Sequence, residues 1–167
     1  MIKRILITGV LLIMVFSLGA CVNNIPYNAV LYSNANGWMN EDFLKENLTR
    51  GCRYVDESGE AVNASGDEYP VFVTKVITTV ESFDEKFSEF PPKVDFEKEI
   101  ILVYIFTDIY PARNYNLQKI MLNGTIIDLE YKIEKPKGKD AAMPAQRCFV
   151  VKLDRIDVSA ASFIEVK

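Results

Sequence analysis

The sequence contains no histidine, and that absence excludes several kinds of active site. Without histidine the chain has no Ser-His or Cys-His nucleophile pair, lacks the usual general base, and has few of the side chains that bind zinc. It also has no CxxC pair, no glycine-rich phosphate loop and no Ser-x-x-Lys motif. These absences predict a protein that is not an enzyme and that holds no metal and no cofactor.

Paired carboxylates are the remaining route to catalysis, because two acids can share the proton transfers of glycoside hydrolysis. Acids alternate at Asp95, Glu97 and Glu99, and again at Asp128 and Glu130. The same period is typical of the solvated face of a strand. A carboxylate-based enzyme that acts on cell-wall or other glycans is therefore kept as the alternative hypothesis.

The first twenty residues resemble the signal peptide of a bacterial lipoprotein. Lys3 and Arg4 form a positively charged start, and 5–16 form an apolar stretch that is too short to span a bilayer comfortably. Leu18-Gly-Ala-Cys21 matches the cleavage box of that class position by position. The resemblance implies cleavage before Cys21 and acylation of that cysteine, as with palmitate. A plain secretory signal or an uncleaved anchor helix is the alternative.

Lipidation would hold the mature chain at the extracytoplasmic face of the cell membrane, since each buried acyl methylene contributes about 0.8 kcal/mol. Val22 stands where the Asp associated with inner-membrane retention would be, so outer-membrane attachment is compatible with a Gram-negative cell. The removed segment carries two basic residues and no acid, which leaves 17 basic against 23 acidic side chains and a net charge of −6. That balance argues against a nucleic-acid partner.

The rest of the chain is organised around the stretch Glu99–Thr107. Its seven consecutive apolar residues, many of them β-branched or aromatic, predict a strand covered on both faces at the centre of a sheet. We expect residues 21–28 to be a tether and residues 29–167 to form one domain, because that length supports a single hydrophobic core.

Periodicity and turn residues predict the remaining elements. Helices are predicted at 40–48 and at 79–90, the second from aromatic residues at helical spacing. Asn123-Gly124 between two alternating runs predicts a β-hairpin. Further strands are predicted at 52–55, 70–78, 148–153 and 162–166. The pattern favours an α+β fold: a mostly antiparallel sheet, as a small sandwich or a curled sheet, with two short helices.

Residues 70–167 resemble the C-terminal domain of the PrcB-like family of protease-complex subunits. The resemblance consists of a helix, the segment 94–99 leading into a buried strand, Pro111 and Tyr115 in the following loop, a hairpin, and a Val-Val-Lys strand at 150–152. Where that family has Pro-Thr-Gly-Gly-Tyr, this chain has Pro-Ala-Arg-Asn-Tyr, which removes two glycines able to adopt positive φ. The resemblance implies a non-catalytic, β-rich domain on an exported lipoprotein.

The loop after the central strand supplies the candidate partner-binding residues, because aromatic and arginine side chains in loops are typical interface anchors. These residues are Tyr110, Arg113, Asn114 and Tyr115. We expect the partner to be another exported or envelope protein. The alternative is that the tyrosines only cap the end of the sheet. Met143, Gln146 and Arg147 can join this surface only if both loops lie at the same sheet end.

Two cysteines remain beside Cys21. An exported chain permits Cys52 and Cys148 to pair, and closing that long loop would contribute about 4 kcal/mol in the chain-entropy model. The alternative is two separately buried thiols.

Overall fold

The computed structural model describes residues 23–24, 28–55, 58–90, 92–110, 112–135 and 142–167. The signal peptide, Cys21 and Pro111 lie outside the described residues. The strands are β1 (Asn23–Asn24), β2 (Val30–Tyr32), β3 (Arg53–Val55), β4 (Ala61–Asn63), β5 (Phe72–Ile77), β6 (Glu99–Asp108), β7 (Asn114–Asn123), β8 (Ile126–Glu134), β9 (Ala145–Asp154) and β10 (Ala160–Val166). The helices are α1 (Glu41–Glu46) and α2 (Val80–Asp84), and a 3-10 turn covers Asn36–Trp38.

The described strands form two four-stranded sheets and one two-stranded ribbon. The first sheet has the order β1-β7-β8-β10, the second β2-β9-β6-β5, and the ribbon joins β3 to β4. Every pairing is antiparallel except that of β10 with β8. The predicted class, a mostly antiparallel α+β fold with two short helices, is confirmed.

The predicted central strand is β6, and it is covered on both faces. Ile101, Val103 and Ile105 pack in one core cluster with residues of α1 and β5. Ile100 and Leu102 pack in a second cluster with residues of β7, β8 and β10. Because successive side chains of a strand alternate between faces, one continuous apolar run supplies both clusters.

The predicted hairpin joins β7 to β8, with its turn one residue later than the Asn-Gly pair. Asn123 pairs with Ile126, so Gly124 and Thr125 are the two turn residues. Gly124 has φ +63°, which a residue without a side chain adopts at little cost. The alternation of β8 is confirmed, because Ile127, Leu129 and Tyr131 are buried.

The second helix is shorter than predicted. It ends at Asp84 rather than near residue 90. The N–H groups of residues 85–87 still donate to carbonyls of the helix, but the chain beyond them bonds to the segment around Trp38. Phe87 forms a β-bridge with Met39, and the N–H groups of Ser88 and Glu89 donate to the carbonyl of Trp38. The aromatic stripe still packs into the core.

Three short strands were not predicted. Asn23–Asn24, inside the predicted tether, pairs with Leu122 and Met121 of β7. Val30–Tyr32 pairs with β9, and Ala61–Asn63 forms the ribbon with β3 inside a segment that the sequence predicts as a loop.

Candidate partner-binding surface

The loop after β6 and the segment before β9 lie at the same end of the second sheet. The ladder between these strands runs to the pair Asp108 and Ala145. Beyond it, the Met143 N–H donates to the carbonyl of Ile109 at 2.7 Å. Because both loops lie at this one end of the sheet, their exposed side chains can form one continuous surface.

Asp108, which ends β6, holds this loop together. Its side chain is buried, with only 5% of the residue exposed. One carboxylate oxygen accepts from the Tyr110 N–H at 3.0 Å and from the Arg113 guanidinium at 3.2 Å. The other accepts from the hydroxyl of Tyr115. One carboxylate thus brings together three of the four predicted residues.

Arg113 connects the buried carboxylate to the surface. Its guanidinium lies 4.2 Å from the centroid of the Tyr110 ring, a cation–π arrangement, while it also pairs with Asp108. Its side chain is 21% exposed, and Asn114 beside it is exposed. Asn114 therefore reaches the solvent fully, and Arg113 and the half-buried Tyr110 reach it in part.

Tyr115 is not a surface residue, and its assignment to the interface is wrong. It is 6% exposed and packs against Phe149 and Phe106, with ring centroids 4.6 and 5.8 Å away. Burial and the hydrogen bond to Asp108 raise the pKa of its phenol. The alternation of Asn114, Tyr115, Asn116 and Leu117 is the signal that would have placed it inward.

The segment before β9 divides between surface and interior. Met143 is 60% exposed, and Ile109 across from it is 44% exposed. Gln146 is buried and donates to the carbonyl of Asn47 at 2.8 Å, so it does not join the surface. Arg147 is half-buried and donates to Asn34 at 3.4 Å.

We call the resulting site the loop surface. It consists of Ile109, Tyr110, Arg113, Asn114 and Met143. Two apolar side chains, an aromatic ring, a guanidinium and an amide offer both apolar contact and hydrogen bonds to a partner.

The two cysteines of the domain do not form the disulfide that the sequence permits. Both are free thiols in the structure. Cys52 packs with Leu48 and Ala64, whereas Cys148 lies in the core cluster that surrounds β6. Burial raises the pKa of both thiols. The alternative of two separately buried thiols describes this arrangement.

Part of the predicted carboxylate series lies in an open cleft of about 440 Å³. The cleft is lined by Lys93, Asp95, Lys98, Glu99, Lys152 and Asp154. A hydrogen bond from Lys98 lowers the pKa of Asp95, and one from Lys152 at 2.5 Å lowers that of Glu99. Both acids are therefore ionised at neutral pH, which does not suit a proton donor.

In the described ranges, no group of three or more acidic or cysteine side chains is arranged to hold a metal ion. No helix in the same ranges has the length and hydrophobicity needed to cross a membrane.

Comparison with known proteins found no matching family, no matching curated protein and no matching solved structure. The resemblances to bacterial lipoproteins and to the PrcB-like family stay predictions.

Proposed function

We propose that this protein is a membrane-anchored extracytoplasmic lipoprotein and a non-catalytic accessory module that binds another exported or envelope protein. Acyl chains on Cys21 attach it to the membrane, and the loop surface contacts the partner. The single observation that carries the binding role is the network around Asp108, which holds the half-buried Tyr110 and Arg113 beside the exposed Ile109 and Asn114.

The composition of the loop surface supports protein binding. Methionine, tyrosine and arginine are enriched in the cores of protein interfaces. Met143 and Ile109 offer apolar area, and the Tyr110–Arg113 pair offers a rigid polar group beside it. Because Asp108 already orders the loop, less conformational entropy is lost on binding.

The packing of the two sheets supports a rigid scaffold below this surface. We propose that they form a small sandwich, the more specific of the predicted architectures. One core cluster contains Leu102 and Val151 of the second sheet together with Ile127 and Leu129 of the first. An aromatic cluster likewise joins Tyr104 and Phe149 to residues of β7 and β8, which include Tyr115.

Nothing in the cleft near β6 favours the glycan-acting alternative. Asp95 and Glu99 each have a lysine partner and a lowered pKa. Retaining and inverting glycosidases both need one carboxyl group with a raised pKa as proton donor.

Affinity capture tests the binding role. We would compare the full-length lipoprotein in detergent with a loop variant that combines Tyr110→Ala, Arg113→Ala and Met143→Ala, and identify the bound proteins by mass spectrometry. Tyr115 stays unchanged because it is buried. We expect one exported protein to be retained by the parent and reduced about tenfold or more in the variant, as for loss of interface anchors.

The matched control variant combines Glu130→Ala, Lys132→Ala and Ile164→Ala on the outer face of β8 and β10. Ile164 is 40% exposed, so this variant also removes one apolar and two polar side chains from a surface. If circular dichroism shows that both variants are folded and both lose the partner equally, the proposed site is contradicted.

A further inference from the structure

We infer that the domain stands on the membrane with the turn of the β7–β8 hairpin toward the lipid headgroups and the loop surface at the far end. The inference rests on the proposed anchor at Cys21 and adds the orientation and the membrane-facing surface, neither of which the sequence predicts.

The first step is the distance from the anchor to the fold. Asn23 pairs with Leu122 of β7, and Asn24 pairs with Met121. Cys21 precedes Asn23 by two residues, which span at most about 7 Å even when fully extended. An acyl anchor on Cys21 would therefore attach to the domain close to the end of β7 that contains Leu122.

The second step is the position of the hairpin turn. Leu122 is followed directly by Asn123, which pairs with Ile126 across the turn residues Gly124 and Thr125. The Ser159 N–H, just before β10, donates to the carbonyl of Thr125 at 2.8 Å. This end presents Ile126, which is 46% exposed, together with the exposed residues Gly124, Thr125 and Ser159. Small and hydroxyl-bearing residues of this kind suit a layer of hydrated headgroups.

The third step is the length of β7. The strand has ten residues from Asn114 to Asn123, and at about 3.4 Å per residue it is about 30 Å long. Asn114 belongs to the loop surface, so that surface lies at the opposite end of the strand from the anchor. A partner would thus approach from the side away from the bilayer and need not be a membrane protein.

Energy transfer from single labelled sites to the bilayer surface tests the orientation. The full-length lipidated chain would be reconstituted in phosphatidylethanolamine–phosphatidylglycerol vesicles that carry an acceptor dye on the headgroups. Donor dyes would be attached in separate variants, Thr125→Cys and Ile126→Cys at the hairpin and Asn114→Cys and Met143→Cys at the loop surface. Cys52 and Cys148 are buried, and denaturing mass analysis would confirm that they stay unlabelled.

We expect most of the donor emission to be lost at the two hairpin sites and little at the two loop sites. Equal loss at all four sites, or a greater loss at the loop sites, would overturn the orientation. Acyl mass on Cys21 and flotation with the vesicles are measured on the same samples. A chain that carries no acyl group and does not float overturns the anchor, and the orientation with it. A chain that floats but shows equal transfer overturns the orientation alone.

Discussion

Asp108 is the residue on which the conformation of the loop surface depends. A buried carboxylate is costly unless charges and donors surround it, and here Arg113, Tyr110 and Tyr115 supply them. Neutralising this one group weakens three contacts at once, each with a different part of the loop.

Asp108→Asn is therefore expected to loosen the loop more than the rest of the fold. Trypsin cleaves after Arg113, and its rate at a structured site follows the population of the open form. Losing the charge-assisted bonds should raise cleavage between Arg113 and Asn114 by about tenfold or more, because such bonds contribute about 1.5–3 kcal/mol. Peptide mapping over time measures this, with cleavage after Lys132 in β8 as internal reference.

The matched control is Asp128→Asn, whose carboxylate accepts a hydrogen bond from Asn123 near the other end of β7. It should leave cleavage after Arg113 unchanged. Arg113→Lys keeps the cleavage site but loses the planar guanidinium. It therefore tests the Asp108–Arg113 pair if Asp108→Asn does not fold. Unchanged cleavage in folded Asp108→Asn, or in Arg113→Lys, would show that the pair does not hold the loop.

Because phenols and thiols are buried, the free energy of unfolding depends on pH in the alkaline range. Burial raises the pKa values of Tyr115, Tyr131 and Cys148 in the folded protein above their ordinary values of about 10 and about 8.5. In each case the folded state favours the neutral form. The stabilisation is therefore complete below the ordinary pKa and is lost as the pH rises above it.

We expect the free energy of unfolding to fall from about pH 8.5 upward and more steeply above about pH 10. Urea unfolding at pH 7, 9 and 10.5 measures this, and Cys148→Ala should reduce the fall near pH 9. A free energy that stays constant across this range would mean that these groups ionise as easily in the fold as outside it.

At the scale of the elements, β6 contributes most to the core. Ile101 on one face and Ile100 on the other are fully buried. Ile101→Ala should lower the free energy of unfolding by about 2–5 kcal/mol, the range for truncation of a buried aliphatic side chain. Ile126→Ala, at a site that is 46% exposed, is the control and should cost much less. Similar losses in chemical denaturation of both variants would contradict the central place of β6.

The long elements could be predicted from the sequence because each has a pattern of its own. The apolar run of β6 and the alternation of β8 are local signals. By contrast, β2 and β4 have three residues each, too few for a period, and β2 is defined by its pairing with β9 far along the chain. The predicted helix at Val80 is too long because residues 88 and 89 bond to Trp38 and Phe87 forms a bridge with Met39, which are tertiary contacts.

Only part of the candidate site could be predicted, because only some of its residues lie in a local sequence pattern. Tyr110, Arg113 and Asn114 follow a buried strand and are polar or amphipathic, so their place near the surface could be predicted. Asp108 was not recognised as their common partner, because three donors meet there only after the chain turns back into β7. The free state of Cys148 depends on its neighbours in the core, which the spacing of the cysteines does not encode.

At the scale of the whole molecule, the hairpin turn and the loop surface lie at opposite ends of β7, and the proposed anchor would join at the hairpin end. A lipid-anchored domain with its binding surface away from the bilayer can meet an exported partner without contact between that partner and the membrane. The orientation on the membrane and the partner-binding role are separate properties, and a protein with the opposite orientation could still bind a partner through the loop surface.

Photo-crosslinking in intact cells tests the partner-binding role most directly. A photoreactive amino acid would replace Met143, which is 60% exposed on the loop surface, or Ile164, which is 40% exposed on the outer face of β10. We predict a single crosslinked product with an exported protein from position 143 that is absent from position 164 and is lost when Arg113→Ala is added. No specific product from position 143, or the same product from both positions, would contradict the binding role of the loop surface.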